Sequence, residues 1–276
     1  MNKYDITKTL FVSDLDGTLL KSDGTMAEET VAAINEMTAR GLKFSFATAR
    51  SYYTAMQVAS EITADIPIIL HNGVFIRDNL SGRRIVENLL DDVPYIKSVL
   101  TSHGIHPMVY TLNGETEKYT YVPELLSREA AEFQATREGD PRDNPIHDAE
   151  RIWDGTVFYV LCIDTEDALR PAYEQLRERY NCIFARDYYS GEMWLEILAQ
   201  SASKASAVLQ LRDLLGCEKT VVFGDAENDI PMFEAANEAY AVANAIDALK
   251  KRATAIIGSN DENAVITWLR RNVSFE

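Results

Sequence analysis

Cysteine is nearly absent from this 276-residue chain. The three present, Cys162, Cys182 and Cys217, are odd in number and lack the paired spacing of metal ligands. That argues against a disulfide framework or a zinc module, and fits small buried hydrophobes kept reduced in a cytoplasm. No apolar run approaches the ~20 residues of a membrane-spanning helix. The opening "MNKYDITKTL" also has no apolar stretch of the kind a secretory signal needs. Basic residues are scarce: 27 Lys and Arg face 43 Asp and Glu, a formal net charge of -16 and a pI near 4.7. Nucleic acid and anionic membranes need a basic face, so neither is expected as a partner. A small anionic molecule stays open, because one bound divalent cation reverses the local field.

What the chain does have is core material and a repeated grammar. With 46% hydrophobic and 25% charged residues, the composition is that of a globular protein of one large or two ordinary domains. "KTLFVSD" reads as a buried strand, "AEETVAAINEMTARG" as a helix stopped at Gly41, "LKFSFAT" as a second strand, "SYYTAMQVAS" as a helix and "DIPIILHNG" as a third strand. Strand–helix alternation of this kind predicts right-handed crossovers and a parallel α/β sheet with helices on both faces, a Rossmann-like core. The C-terminal part repeats it: the helix "SKASAVLQLRDLLG", the strand "KTVVFGD", a helix from "NDIPMFEAA", a short strand "AYAVA" and two closing helices.

Between them the pattern changes. The runs "HPMVYTL", "KYTYV", "GTVFYVLCID" and "NCIFARDYY" read as longer, amphipathic strands, with helices at "DDVPYIKSVLTSHG" and "TEDALRPAYEQLRERY" and a connecting segment at "TREGDPRDNPIHDAE". We therefore expect an α+β module at 83–190, inserted into a core made of 1–82 and 191–276. The tyrosines of "KYTYV" and "RDYYSGEMW" offer themselves as pocket lining, although strand tyrosines more often serve in cores or on surfaces.

The chemistry concentrates at strand ends. In open parallel sheets ligands sit beyond the carboxyl ends of the strands. There this chain carries Asp14 and Asp16, then Thr48, then Asn72 and Gly73, then Asp225. Asp14 and Asp16 are two apart, so extended backbone sends both side chains to one side. With Asp225 they would raise one another's pKa, unless a hard divalent cation with oxygen ligands resolves the conflict; Mg2+ fits that description. Two other readings of "DLDGT" compete with this one. A calcium loop needs an acid or Asn at Thr18 and a Gly at Leu19, with a helix upstream, and has none of these. A purely structural turn with two capping acids stands as the alternative.

Four segments in order now point to a family. "DLDGTLL", "FATAR", "SASKASAVLQL" and "GDAENDIPMF" resemble the four motifs of the haloacid dehalogenase superfamily of phosphohydrolases. An insert between the second and third motifs is similar to the Cof-like subgroup of sugar-phosphate phosphatases. The resemblance implies a magnesium-dependent phosphatase acting on a small phosphorylated metabolite through an aspartyl-phosphate. In it Asp14 is the nucleophile and Asp16 the general acid and base. Thr48 and Lys204 contact or neutralise the phosphoryl group. Asp225 binds the metal with Asp14 and the Asp16 backbone carbonyl, and Asp229 holds a metal-bound water or orients Lys204. Arg50, Asn72, Gly73, Asn228 and Asn244 are candidates for substrate contact, and Gly17 permits the turn that presents Asp16.

"LLKSDGTM" reads as a small hairpin beside the site, which in the family closes over substrate together with the inserted cap. Two rival functions remain at this point: a phosphomutase using the same aspartyl-phosphate, and a non-catalytic metabolite sensor. The large insert favours the hydrolase over the mutase, and the nucleophile–acid pair argues against a pure binder.

Overall fold

The computed structural model describes residues 4–186 and 191–275. The chain divides into two compact units, Met1–Glu87 with Ser203–Glu276, and Asn88–Ala202.

In chain order, the first part of unit one holds β1 (Thr9–Ser13), α1 (Glu28–Ala39), β2 (Lys43–Phe46), α2 (Tyr52–Ala59), β3 (Pro67–Leu70), β4 (Phe75–Asp78) and β5 (Arg84–Glu87). Unit two comes next with α3 (Val93–Ser102), β6 (Met108–Asn113), β7 (Thr116–Tyr121), α4 (Arg128–Ala135), β8 (Asp143–Pro145), β9 (Thr156–Asp164), α5 (Glu166–Leu176), β10 (Asn181–Arg186) and β11 (Met193–Leu198). Unit one resumes with α6 (Lys204–Leu214), β12 (Lys219–Gly224), α7 (Ile230–Ala235), β13 (Glu238–Ala241), α8 (Asp247–Lys250), β14 (Ala255–Ile256) and α9 (Ala264–Asn272).

Unit one is built on a parallel sheet in the order β14-β13-β12-β1-β2. A single parallel bridge, Ala47 to Ile69, sets β3 beside β2, and β3, β4 and β5 continue as an antiparallel meander. β1 is buried along its whole length, as its apolar centre Leu10–Val12 requires when both faces are covered. Leu10, Val12 and Val222 pack with Ala207, Val208 and Leu211 of α6. On the other face Phe11 meets Trp268 of α9 at a tilt and Phe223 meets it edge-on. β1 lies between β2 and β12 with Ser13 opposite both Phe46 and Phe223. The three strands therefore end level, and the residues just past each of them gather at one edge of the sheet.

Unit two is a six-stranded sheet, β10-β11-β9-β6-β7-β8, mostly antiparallel. Val109, Val160, Cys162, Leu195 and Ile197 pack against Ile96, Val99, Leu169 and Ala172 of α3 and α5. The registered pairs Tyr110–Tyr119 and Tyr110–Tyr159 bring three tyrosines together on the opposite face, and Phe133 of α4 meets Trp194 edge-on. Tyr119 and Tyr121 of "KYTYV" are both buried, which is a core position. Residues 187–190, which include two of the other tyrosines considered for a pocket, lie outside the described residues.

Several sequence expectations shift in detail. The boundaries at 82 and 191 fall short of the strand pairing: β5 pairs with β4 in unit one, and β11 pairs with β9 and β10 in unit two. Helix α4 and strand β8 arise on either side of the start of the segment expected to be a connector. "LLKSDGTM" forms no paired strands. Lys21 N–H donates to Thr25 O, and the Asp23 carboxylate takes the Thr25 N–H and hydroxyl. Its start is held by Asn260 and Asp261, which bond to Leu20 O and to Ser22. Side-chain bonds fix this turn where strand pairing was expected. All three cysteines are free thiols, and no helix among the described residues is long and apolar enough to cross a membrane.

Candidate active site

Asp14 is the first residue past β1. Its N–H still donates to Phe223 O, 2.9 Å, so the backbone holds it in line with the strand while its side chain is almost wholly buried. Asp225 is the first residue past β12. Asp229 ends the short turn Glu227–Asp229 that leads into α7 and is completely buried. One carboxylate oxygen from each of Asp14, Asp225 and Asp229 lies within 4.8 Å of the others. Lys204, the first residue of α6, runs its side chain into this group, with Nζ 2.6 Å from Asp14 Oδ1 and 2.8 Å from Asp229 Oδ1.

The helix start that delivers Lys204 is well specified. Ser203 accepts the Ser206 N–H, and the Ser206 hydroxyl accepts the Ser203 N–H, a reciprocal cap. Asp229 is equally fixed, since its Oδ2 accepts the backbone N–H groups of Asp225 and Ala226. With one oxygen on Lys204 and the other on two amides, Asp229 positions the lysine and the Asp225 loop. Thr18 donates its hydroxyl to Asp225 Oδ1, 2.9 Å, a contact that sequence reasoning passed over although Thr18 directly succeeds Gly17.

Three carboxylates around one ammonium leave an excess of negative charge in a buried place. Burial drives the Asp14 carboxyl well above the usual range; Lys204 opposes this, and the charges of Asp229, Asp225 and Asp16 add to it. Asp225 is pushed up to about 6, first by burial and then by Asp229, with Thr18 and Lys204 pulling the other way. Burial works against the Lys204 ammonium, but Asp14 and Asp229 outweigh it and hold the lysine firmly protonated. A hard cation held between these oxygens would offset the excess negative charge. The donor set, oxygens only and over-charged, fits Mg2+.

Asp16 goes elsewhere. Its carboxylate is gripped at both oxygens by Arg50, Nη2 to Oδ1 at 2.6 Å and Nε to Oδ2 at 2.9 Å, and it is not among the three clustered carboxylates. Gly17 makes the intervening turn with φ +75°, and a Cβ there would fall 2.4 Å from Asp225 Oδ2. This glycine is needed both for the left-handed backbone and for the close approach of the carboxylate. Thr48 is buried one residue beyond Ala47, whose N–H donates to Ser13 O. Its Oγ1 accepts the Arg50 N–H, which leaves the hydroxyl hydrogen to donate.

The remaining candidates separate. Asn228 donates to Asn72 Oδ1, 3.2 Å. Gly73 packs against the backbone of Ser203. Asn244 has its amide engaged by backbone: Nδ2 donates to Gly17 O, 2.7 Å, and Oδ1 accepts the Asn260 N–H. It braces the Asp16 turn, a role that only the fold discloses, because its two partners lie 227 and 16 residues away.

Comparison with known proteins agrees with this frame. Residues 11–269 match the model of the haloacid dehalogenase-like hydrolases, and the chain belongs to that family. Among curated relatives, it is 31% identical to the 5-amino-6-(5-phospho-D-ribitylamino)uracil phosphatase YwtE of Bacillus subtilis, over 95% of this chain and 96% of that one. It is 26% identical to the phosphatase of the same description, YbjI, of Escherichia coli, over 97% of each. Among solved structures it resembles TM0651 of Thermotoga maritima, with a TM-score of 0.77 and 24% identity over 97% of this chain and 98% of that one. The α/β fold and the family expected from the four motifs are the ones found.

Proposed function

We propose that this hydrolase is a magnesium-dependent phosphatase of small phosphorylated metabolites, working in the cytoplasm, with Asp14 as nucleophile. The observation that carries the reading is the meeting of the Asp14, Asp225 and Asp229 carboxylates around a buried lysine at the carboxyl edge of a parallel sheet. Such a group repels a phosphate dianion unless more positive charge is present. Mg2+, held by Asp14 and Asp225 with the Asp16 carbonyl and Asp229 in support, would supply that charge and withdraw electrons from the phosphoryl oxygens when bound.

The chain's own residues then divide the work. Lys204 fixes Asp14 through Oδ1, leaving Oδ2 to attack phosphorus. The Asp14–phosphorus bond forms as the ester P–O bond breaks, and the leaving alkoxide takes a proton from Asp16. Water then attacks the aspartyl-phosphate with Asp16 accepting its proton, which frees inorganic phosphate and restores both aspartates. Thr48 donates its hydroxyl to a phosphoryl oxygen. Arg50 must loosen its fork on Asp16 for that proton to be carried, and an incoming phosphate gives the guanidinium a second anion to grip. Substrate selection is assigned to the unit Asn88–Ala202. Two relatives are named for a phosphate ester on a sugar alcohol joined to a heterocycle, so that class heads the substrates to test.

The test is phosphate release from a chromogenic aryl phosphate and from a panel of phosphometabolites, with Mg2+ and with chelator, for wild type and Asp14→Asn. Turnover that needs the metal and vanishes in the variant is expected. Equal rates in the two proteins would remove Asp14 from its role, and a silent wild type across the panel would remove the activity.

A further inference from the structure

Between β3 and β4 the backbone does something costly. His71, Asn72 and Gly73 take φ values of +49°, +53° and +99°, three left-handed residues in succession. Two of them are not glycine, and His71 and Asn72 are both buried. Backbone strain of this sort persists only where the surroundings over-determine it. Here they do. The His71 N–H donates to Arg50 O and the Asn72 N–H to Thr48 O, both at 3.0 Å, so the turn is locked to the segment after β2. Asn72 Oδ1 takes the Asn228 amide at 3.2 Å, which ties it to the Asp225–Asp229 loop. Gly73 lies so close to α6 that a Cβ would sit 2.2 Å from Ser203 O and 2.5 Å from its carbonyl carbon. Ser203 is the cap of the helix whose first residue is Lys204.

We propose that the turn at 71–73 is a positioning element that sets Lys204 and Asn228 against the carboxylates, and that Asn72 and Gly73 act through these neighbours without touching substrate. This rests on the phosphatase reading above and deepens it. The turn contacts the segment carrying Thr48 and Arg50, the segment carrying Lys204 and the segment carrying Asp225 and Asp229. Gly73 is the residue that lets the helix cap come within backbone contact. Any side chain there must push Ser203 away, and Lys204 moves with it.

Turnover of an aryl phosphate with saturating Mg2+ tests the idea in Gly73→Ala, Asn72→Ala, Asn228→Ala and the Asn72→Ala/Asn228→Ala double variant. Gly73→Ala is expected to lower kcat about 100-fold with KM changed less than about threefold, because a displacement near 1 Å costs that much without altering ground-state binding. The two asparagine singles are each expected to lose about tenfold in kcat, and the double variant no more than either single, since they form one linkage. Losses that multiply in the double variant, or a KM that rises by the full factor, would overturn the proposal and make these residues separate substrate contacts. Thermal unfolding gives an arm independent of turnover. Gly73→Ala should lower the midpoint of the wild type more than that of Lys204→Met, where there is no ion pair left to misplace; equal shifts in both backgrounds would overturn it. A wild type without turnover defeats the phosphatase reading alone, and the unfolding comparison still decides the placement.

Discussion

Lys204→Met is the most informative single substitution in the site. The side chain is 1% exposed, and its ammonium bonds to Asp14 at 2.6 Å and Asp229 at 2.8 Å. Methionine fills most of the stem's volume, so the loss is one of charge and not of packing. Removing one partner of a buried ion pair costs about 3–5 kcal/mol, because the other is left uncompensated. At roughly 2–4 °C per kcal/mol for a protein of this size class, the metal-free melting temperature should fall by roughly 6–20 °C at pH 8.

The pH dependence has a definite sign. Asp14 already has its carboxyl raised by burial, and Lys204 is the group pulling it down. Without the lysine, the folded state binds more protons than the unfolded one over a wider range, so stability falls as pH rises. The gap to wild type should therefore narrow between pH 8 and pH 5, as the abandoned carboxylates neutralise themselves by protonation. Mg2+ at about 100 times its Kd adds about 2.7 kcal/mol and should raise the variant's melting temperature at least as much as the wild type's. Scanning calorimetry at several pH values, with and without metal, reads all of this. A metal-free variant melting within about 1 °C of wild type at pH 8, with no pH trend, would refute the buried-charge reasoning; 1 kcal/mol alone is worth more than that.

Neighbouring groups give further outcomes. Mg2+ binding should release protons and weaken as pH falls through about 6, because Asp225 holds a proton near that pH in the metal-free protein; titration calorimetry in buffers of different ionisation enthalpy measures it, and binding that is flat from pH 5 to 8 would contradict it. Arg50→Lys keeps the charge but loses the two-pronged grip on Asp16, so kcat/KM should drop about 10–100-fold despite the conservative exchange; full activity would show that the fork has no part in turnover. In unit two, Asp140 takes Arg142 Nε at 2.9 Å and its Nη2 on the other oxygen, with both side chains nearly inaccessible. Burial raises the Asp140 carboxyl, but the Arg142 bonds prevail and hold it below its ordinary value. Its contribution is therefore present above an unfolded pKa of ~3.9 and lost as pH falls below that. Asp140→Asn should cost about 3 kcal/mol at neutral pH and progressively less below pH ~4, as read by thermal unfolding.

How much of this is legible in the sequence depends on the kind of residue. Asp14 and Asp225 can be placed because each follows an apolar run by one small residue, Ser13 or Gly224, and a parallel sheet brings such ends to one edge. Side-chain direction is not legible. Nothing in "DLDG" says that Asp16 turns to Arg50, 34 residues on, while Asp14 turns to Lys204, 190 residues on. Asn244 and Gly73 stand out in the sequence only by their positions near strand ends; that Gly17 O and the Ser203 backbone are their neighbours is disclosed by the fold alone. β11 falls on the wrong side of a boundary drawn from sequence because "MWLEIL" alternates like any half-buried strand, and only its pairing with β9 decides its sheet. The turn at Ser22 looks like a hairpin because its residues suit one; the asparagine and aspartate that hold it come from 260 and 261.

The central claim is that Asp14 itself takes the phosphoryl group. Asp16→Asn should slow hydrolysis of the aspartyl-phosphate more than its formation from an aryl phosphate, whose leaving group needs no acid. Acid quenching of that variant during turnover, then peptide mass spectrometry, should find the mass of one phosphoryl group on the peptide that carries Asp14, and none when Asp14 is also changed to Asn. Turnover with no covalent phosphate, or with phosphate on a different residue, would contradict it.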